Sequence, residues 1–247
     1  MSRATKGLRI AGKIIKLAFV LLIVFINLFL LWRLFSTSNP SSMDRLSPNE
    51  NLVEAYKKDP ALSGTFRQEQ RSITSGESNY GYFSVTKATF IPAANQIQIV
   101  VRYNNSTLRH TEEDFSLDAA PDRDSDVYDV SLLLVTDLTP DDESDNLTTA
   151  EGSTEELRIH PTYSQSDKKT LYNYRLFVFD LGELDLSEHL EKDTLLAVYA
   201  DIYYNGAIDY DKTPYGTLCL YDYITETIDV KLSSAEKKSF EDWTKNR

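Results

Sequence analysis

Hydrophobic and polar positions divide the chain into stretches with different periods. From Leu17 to Trp32 (LAFVLLIVFINLFLLW) sixteen residues run without a charge, and Asn27 is the one polar member. Ile14, Ile15, Leu34 and Phe35 carry the apolar run past Lys16 and Arg33. About 20 helical residues cross a hydrocarbon core of about 30 Å, so residues 17–35 are expected to form a transmembrane anchor. Lys16 and Arg33 can snorkel to the interfaces, and Trp32 suits the headgroup level. The expected lipid anchor is Leu17, Phe19, Leu22, Phe25, Leu28, Leu31 and Trp32.

Residues 36–80 read as a juxtamembrane linker with one helix at about 48–58. Ser47 can cap that helix, Pro48 suits its first position, and Glu50 completes a capping box. Leu52, Val53 and Tyr56 fall near one face, and Asp59-Pro60 stops the helix.

From Gly81 the pattern turns to strands. Tyr82–Ile91 and Ile97–Tyr103 flank the turn Pro92-Ala93-Ala94-Asn95 and predict a hairpin. Asn104-Asn105-Ser106 breaks the second strand, and residues 109–126 read as an acidic loop across one end. Further strands are expected at Val127–Thr136, Leu157–His160, Leu171–Leu181, Leu195–Tyr204, Tyr215–Tyr221 and Thr227–Leu232. Asn205-Gly206 is a hairpin-type turn, and Asp185–Lys192 a short helical turn. With no strand–helix alternation, the expected fold is mainly β. It is an antiparallel β-sandwich of about eight strands over residues 81–232. It is similar to immunoglobulin-like and fibronectin-like domains in strand count alone; no residue motif names a family. A helix over 233–247 closes the chain, with a capping box from Ser233 to Glu236 and with Phe240 and Trp243 one turn apart.

Charge orients the anchor. Residues 1–16 hold Arg3, Lys6, Arg9, Lys13 and Lys16 and no acid, which marks a cytoplasmic tail and an extracytoplasmic C-terminal domain in the cell membrane. The rival reading is a cleaved signal peptide, with Ser36-Thr37-Ser38 as a small-residue site. The length of the uncharged run and the bulky Trp32–Phe35 favour an uncleaved anchor. A lipoprotein is excluded, because no cysteine lies near the segment. All 38 acids fall after residue 35, against 20 of the 26 Lys and Arg, so the exposed part carries −18. That sign excludes nucleic acid as a partner. The single cysteine, Cys219, permits no internal disulfide and points to a bacterial envelope setting. Within its strand it reads as a small buried apolar group.

Chemistry-bearing residues are sparse. His110, His160 and His189 stand far apart, and no GxSxG, HExxH or phosphate-binding glycine loop is present. A hydrolase site would have to be assembled by the fold from His160 or His189 with a Ser or Asp. No cofactor is expected. Two alternating carboxylate runs, Asp122, Asp124, Asp126 and Asp141, Glu143, Asp145, could direct oxygens at Ca²⁺. Neither completes an EF-hand: position six is Val127 or Asn146 and position twelve Leu133 or Gly152. All 15 tyrosines lie beyond the apolar segment. Tyr199, Tyr203 and Tyr210 are candidates for a glycan platform, although sheet packing also favours tyrosine. The expected function is a membrane-anchored binding or assembly module of the cell envelope, not an enzyme. Its partners are membrane lipid through the helix and either another envelope protein or a glycan.

Overall fold

A computed structural model describes residues 3–72, 83–140, 147–149, 156–182, 184–191, 195–207, 214–221 and 227–245. The chain forms two units, Met1–Ser38 and Asn39–Arg247.

The first unit is α1 (Arg3–Thr37). Its segment Lys13–Thr37 is long and apolar enough to cross a membrane, a test that a signal sequence also passes. The large apolar side chains from Ile14 to Phe35 stand exposed. Polar groups within it turn back on the helix. Asn27 Nδ2 donates to the Ile23 carbonyl at 2.8 Å, and Thr37 Oγ1 to the Arg33 carbonyl at 2.9 Å. A helix apolar on all sides calls for lipid or burial.

The second unit contains, in chain order, α2 (Glu50–Lys58), β1 (Phe66–Ser72), β2 (Phe83–Ile91), β3 (Gln96–Asn104), α3 (Asn105–Asp114) and β4 (Tyr128–Pro140). There follow β5 (Leu147–Thr149), β6 (Glu156–Ile159), β7 (Tyr163–Lys168), β8 (Tyr172–Asp180), α4 (Leu186–Glu191), β9 (Leu195–Tyr204), β10 (Gly216–Tyr221), β11 (Ile228–Asp229) and α5 (Ser234–Lys245). One sheet has six strands in the order β11-β1-β2-β3-β8-β7. The other runs β10-β9-β4-β5, with β6 also paired to β4. Every pairing is antiparallel.

The two sheets share one apolar core. Phe83, Val85, Ile97, Ile99 and Val101 enter it from one side and Val130, Leu132, Leu134, Val198 and Ile202 from the other. These are the period-two positions of each strand, as the alternation predicts. Phe66 and Phe90 stack at 4.7 Å, and Phe83 meets Tyr128 edge to face at 4.8 Å.

Three strands were not legible. The first, β1 (FRQEQRS), lies in the segment assigned to the linker and offers one apolar side chain, Phe66, to the core. Its place is fixed by pairing to β2 and β11 rather than by its own pattern. The others, β5 and the polar β7, extend the sheet edges. The break at Asn104 is a helix start instead of a loop. The Asn104 side chain accepts from the N–H groups of Ser106 and Thr107, and Thr107 answers with a hydroxyl to the Asn104 N–H. With Leu108 as its one buried large apolar residue, α3 shows little periodicity to read.

The segment after Ser38 is folded, not a solvated spacer. Met43 is fully buried with Val100, Tyr174 and Leu176 on the outward face of the six-stranded sheet. The helix cap also moves two residues: Asn49, not Ser47, accepts from Leu52 N at 2.9 Å. Ser47 is occupied elsewhere, its N–H and carbonyl each bonded to the Gln98 amide at 2.8 and 3.0 Å. Leu46, Leu52, Val53 and Leu62 form a second core with Ile91 and Phe240. The expected capping box of α5 is present, Ser233 N donating to Glu236 at 2.8 Å and Glu236 N to Ser233 at 3.3 Å. Phe240 meets Tyr56 at 5.2 Å, with Trp243 half-buried beside them.

Candidate functional site

Of the tyrosines expected as a platform, Tyr199 is half-buried and Tyr203 buried. On β9, Tyr199, Asp201 and Tyr203 alternate with the core residues Val198, Ala200 and Ile202, so they face outward. Tyr199 is half-buried against Val135 and Ala197. Tyr203 is 3% exposed, which leaves no face for a sugar ring to stack on. Tyr210 lies outside the described residues.

What the outward face holds instead is a polar cluster. Thr217, Asp201 and Ser131 sit side by side on β10, β9 and β4. Arg158, entering from β6, brings Nη1 to 2.7 Å from Ser131 Oγ, 2.8 Å from Asp201 Oδ2 and 2.7 Å from the Tyr203 hydroxyl. Thr217 Oγ1 donates to the second Asp201 oxygen at 2.7 Å. Burial, followed by the negative Asp201, pushes the Tyr203 phenol up. The Asp201 carboxylate is thus saturated by donors and sealed from solvent. The Ser131 hydroxyl accepts from the guanidinium of Arg158. The sequence signal for this cluster was a polar residue at the outward position of an apolar strand, in VYADIYY and DVSLLL. It was missed because nothing in the chain order ties Arg158 to either strand.

The first carboxylate run lies in the loop before β4, and its members diverge. Asp124 pairs with Lys168 at 2.5 Å, which holds its carboxyl below the ordinary range. Asp126 accepts from Ser166 at 3.2 Å and lies 3.3 Å from Arg175 Nη2. Asp122 accepts from the N–H of Asp124 at 3.0 Å. Each of the three thus has one oxygen engaged by a different group of the same chain. Among the described residues no group of three or more His, Cys, Asp or Glu is placed to hold a metal ion. Asp141, Glu143 and Asp145 lie outside the described residues.

This loop closes a cavity of about 310 Å³ at one end of the sheet pair. Tyr103, Arg123, Ser125, Ser166, Lys168 and Asn173 line it. Burial raises the Tyr103 phenol to about 12. A wider groove of about 900 Å³ lies by the β2–β3 turn, between Gly64, Phe66, Asn95, Gly182 and Leu190. Asn95, in the left-handed region at φ 51°, joins that turn to α4 by accepting from Leu186 N at 3.0 Å.

His110 faces Glu113 at 3.5 Å within α3, and His160 is exposed at the end of β6. His189 belongs to α4, with its side chain outside the described set. Cys219 is half-buried, with its thiol 3.6 Å from the Tyr221 carbonyl.

No protein-family model, curated protein or solved structure matches the chain.

Proposed function

We propose that the chain is a single-pass, membrane-anchored binding or assembly module of the bacterial cell envelope, not an enzyme. The observation that carries this reading is the joining of an apolar helix, Lys13–Thr37, to a separate unit with its own two-sheet core. An apolar helix with every large side chain exposed is stable in lipid and not in water. The basic residues before Leu17 support a cytoplasmic N-terminus with the acidic unit outside. We read the two sheets as a β-sandwich of immunoglobulin- or fibronectin-like architecture, supported by antiparallel pairing throughout and by the shared core. A binding role rather than catalysis fits the assembled polar clusters, whose carboxylates are spent on cations and hydroxyls of the same chain. The ligand in this reading is another envelope protein.

Photo-crosslinking in native membranes tests it, with the photoreactive residue placed at exposed positions such as Tyr163 or Leu157. A discrete partner band that disappears on competition with unlabelled protein is the expected result. Recovery of the uncrosslinked chain alone from every position would contradict a binding role.

A further inference from the structure

We propose that the cavity behind the 122–126 loop is a binding site for a small oxyanion, a phosphate or a carboxylate, held by Arg123 and Asn173. The register places the site. Asn173 on β8 stands between Tyr103 on β3 and Lys168 on β7. It shares the inward face of its strand with Arg175 and Phe177, and Tyr103 and Phe177 belong to the core.

The Asn173 amide has one orientation. Arg123 Nε donates to its Oδ1 at 2.6 Å. Turning the amide over would set an N–H against the guanidinium. Its Nδ2 is therefore left facing inward, buried and without an acceptor, on a residue 4% exposed. Two residues along the strand, Arg175 Nε is likewise buried without an acceptor. Native interiors rarely leave such donors unmet, and the Asn173 donor beside the cavity marks a place for an incoming oxygen.

Charge selects the kind of oxygen. Lys168 is matched by Asp124 and Arg175 by Asp126. Asp167 also borders the cavity, but its register with Tyr174 puts its side chain on the opposite face, where it accepts from the Ser42 hydroxyl. Arg123 bonds neutral acceptors alone: Asn173 Oδ1 and the carbonyls of Lys169 and Tyr172. The cavity wall thus carries Arg123 and Lys168 with Asp124 and Asp167, and it is the Arg123 guanidinium that stands next to a fixed amide donor. Ser125, Ser166 and Tyr103 line the remaining wall with hydroxyls. Arginine with an adjacent N–H donor suits the planar oxygens of a carboxylate or the tetrahedral ones of a phosphate. The volume of about 310 Å³ admits an anion of that size together with several waters.

The test is a titration of the full chain in detergent micelles with inorganic phosphate and, separately, with acetate. Ionic strength is held constant with sodium chloride, and the thermal midpoint is followed. The expected result is saturable stabilisation by at least one anion, and which one saturates identifies the oxyanion. Asn173→Asp keeps the acceptor that Arg123 needs and removes the donor, so it should weaken binding about tenfold or more. Should that variant not fold, Arg123→Gln carries the same test, since it keeps a donor and loses the charge. A cavity filled by water alone would give no saturable response to either anion, and the proposal would fall. It would also fall if both variants bound the anion as tightly as the parent.

Discussion

On the outward face of the six-stranded sheet, Gln98 hands both ends of its amide to the backbone of Ser47. On the outward face of the second sheet, Asp201 gives its carboxylate to Arg158 and Thr217. Both residues are buried, at 2% and 3% exposure. The first face is covered by a length of chain: residues 39–62 and α5 bring Met43, Leu46, Leu52 and Phe240 over it. Its polar residues then find main-chain partners, as Lys87 does in the Asp44 carbonyl at 2.6 Å. The second face closes over its polar row with one guanidinium. A chain-built cover adds apolar burial and ties distant segments together. A side-chain cover adds little area and concentrates its worth in one charge.

The difference is breakable at single residues. Phe240→Ala empties a fully buried site in the cover, and the expected loss is about 3–5 kcal/mol in urea unfolding. The equivalent truncation on the other face, Leu133→Ala, removes a half-buried side chain and should cost about a third of that. Equal losses would erase the distinction between the faces.

Asp201→Ala probes the second face by its charge. It removes the carboxylate that pairs with Arg158 and accepts from Thr217, at an expected cost of about 2–3 kcal/mol. The figure sits below that of a fully buried pair because Arg158 is 30% exposed. Replacing both partners, Arg158→Met with Asp201→Leu, should restore most of the stability. Gln98→Leu probes the first face by its hydrogen bonds. It frees the Ser47 N–H and carbonyl, with an expected loss of about 1–2 kcal/mol.

The smallest effect separates the faces by pH. Burial alone would raise the Glu236 carboxyl. The bonds from Ser233 and Leu46 and the nearby Lys87 outweigh it and bring it below 4.5. The folded value is depressed, so the stabilisation is complete above the unfolded pKa and is lost as pH falls through the folded one. Acid titration below about pH 4.5 should therefore loosen the N-terminal cover. A Glu236→Gln variant should lose that acid step. If it keeps the step unchanged, Glu236 is not the latch between Leu46 and α5.

Legibility followed the same division. In Ile97–Tyr103 and Leu196–Tyr204 the alternation is clean, because one face of each meets the shared core. Tyr172, Tyr174, Leu176 and Val178 share one face of β8, but that alternation does not say which face is the core's. Phe177 and Phe179 meet the shared core, and Tyr174 and Leu176 lie under Met43. A strand buried on both faces gives no period that tells its two sides apart. The cover itself was hidden because residues 39–47 are polar and irregular, and their burial comes from contacts with strands far along the chain. The same cause hid the Arg123–Asn173 and Arg158–Asp201 contacts, whose partners are about 40–50 residues apart. Tyr203 was legible as outward but not as buried, since its cover is the Arg158 side chain.

The orientation of the proposed anchor bears on the envelope reading directly. An N-terminal tag and a C-terminal epitope on the full chain, with protease added to intact spheroplasts, report it directly. The account predicts loss of the C-terminal epitope from the membrane fraction and survival of the N-terminal tag, with both destroyed once the membrane is dissolved. A C-terminal epitope that survives in intact spheroplasts and is cleaved only after lysis would contradict it.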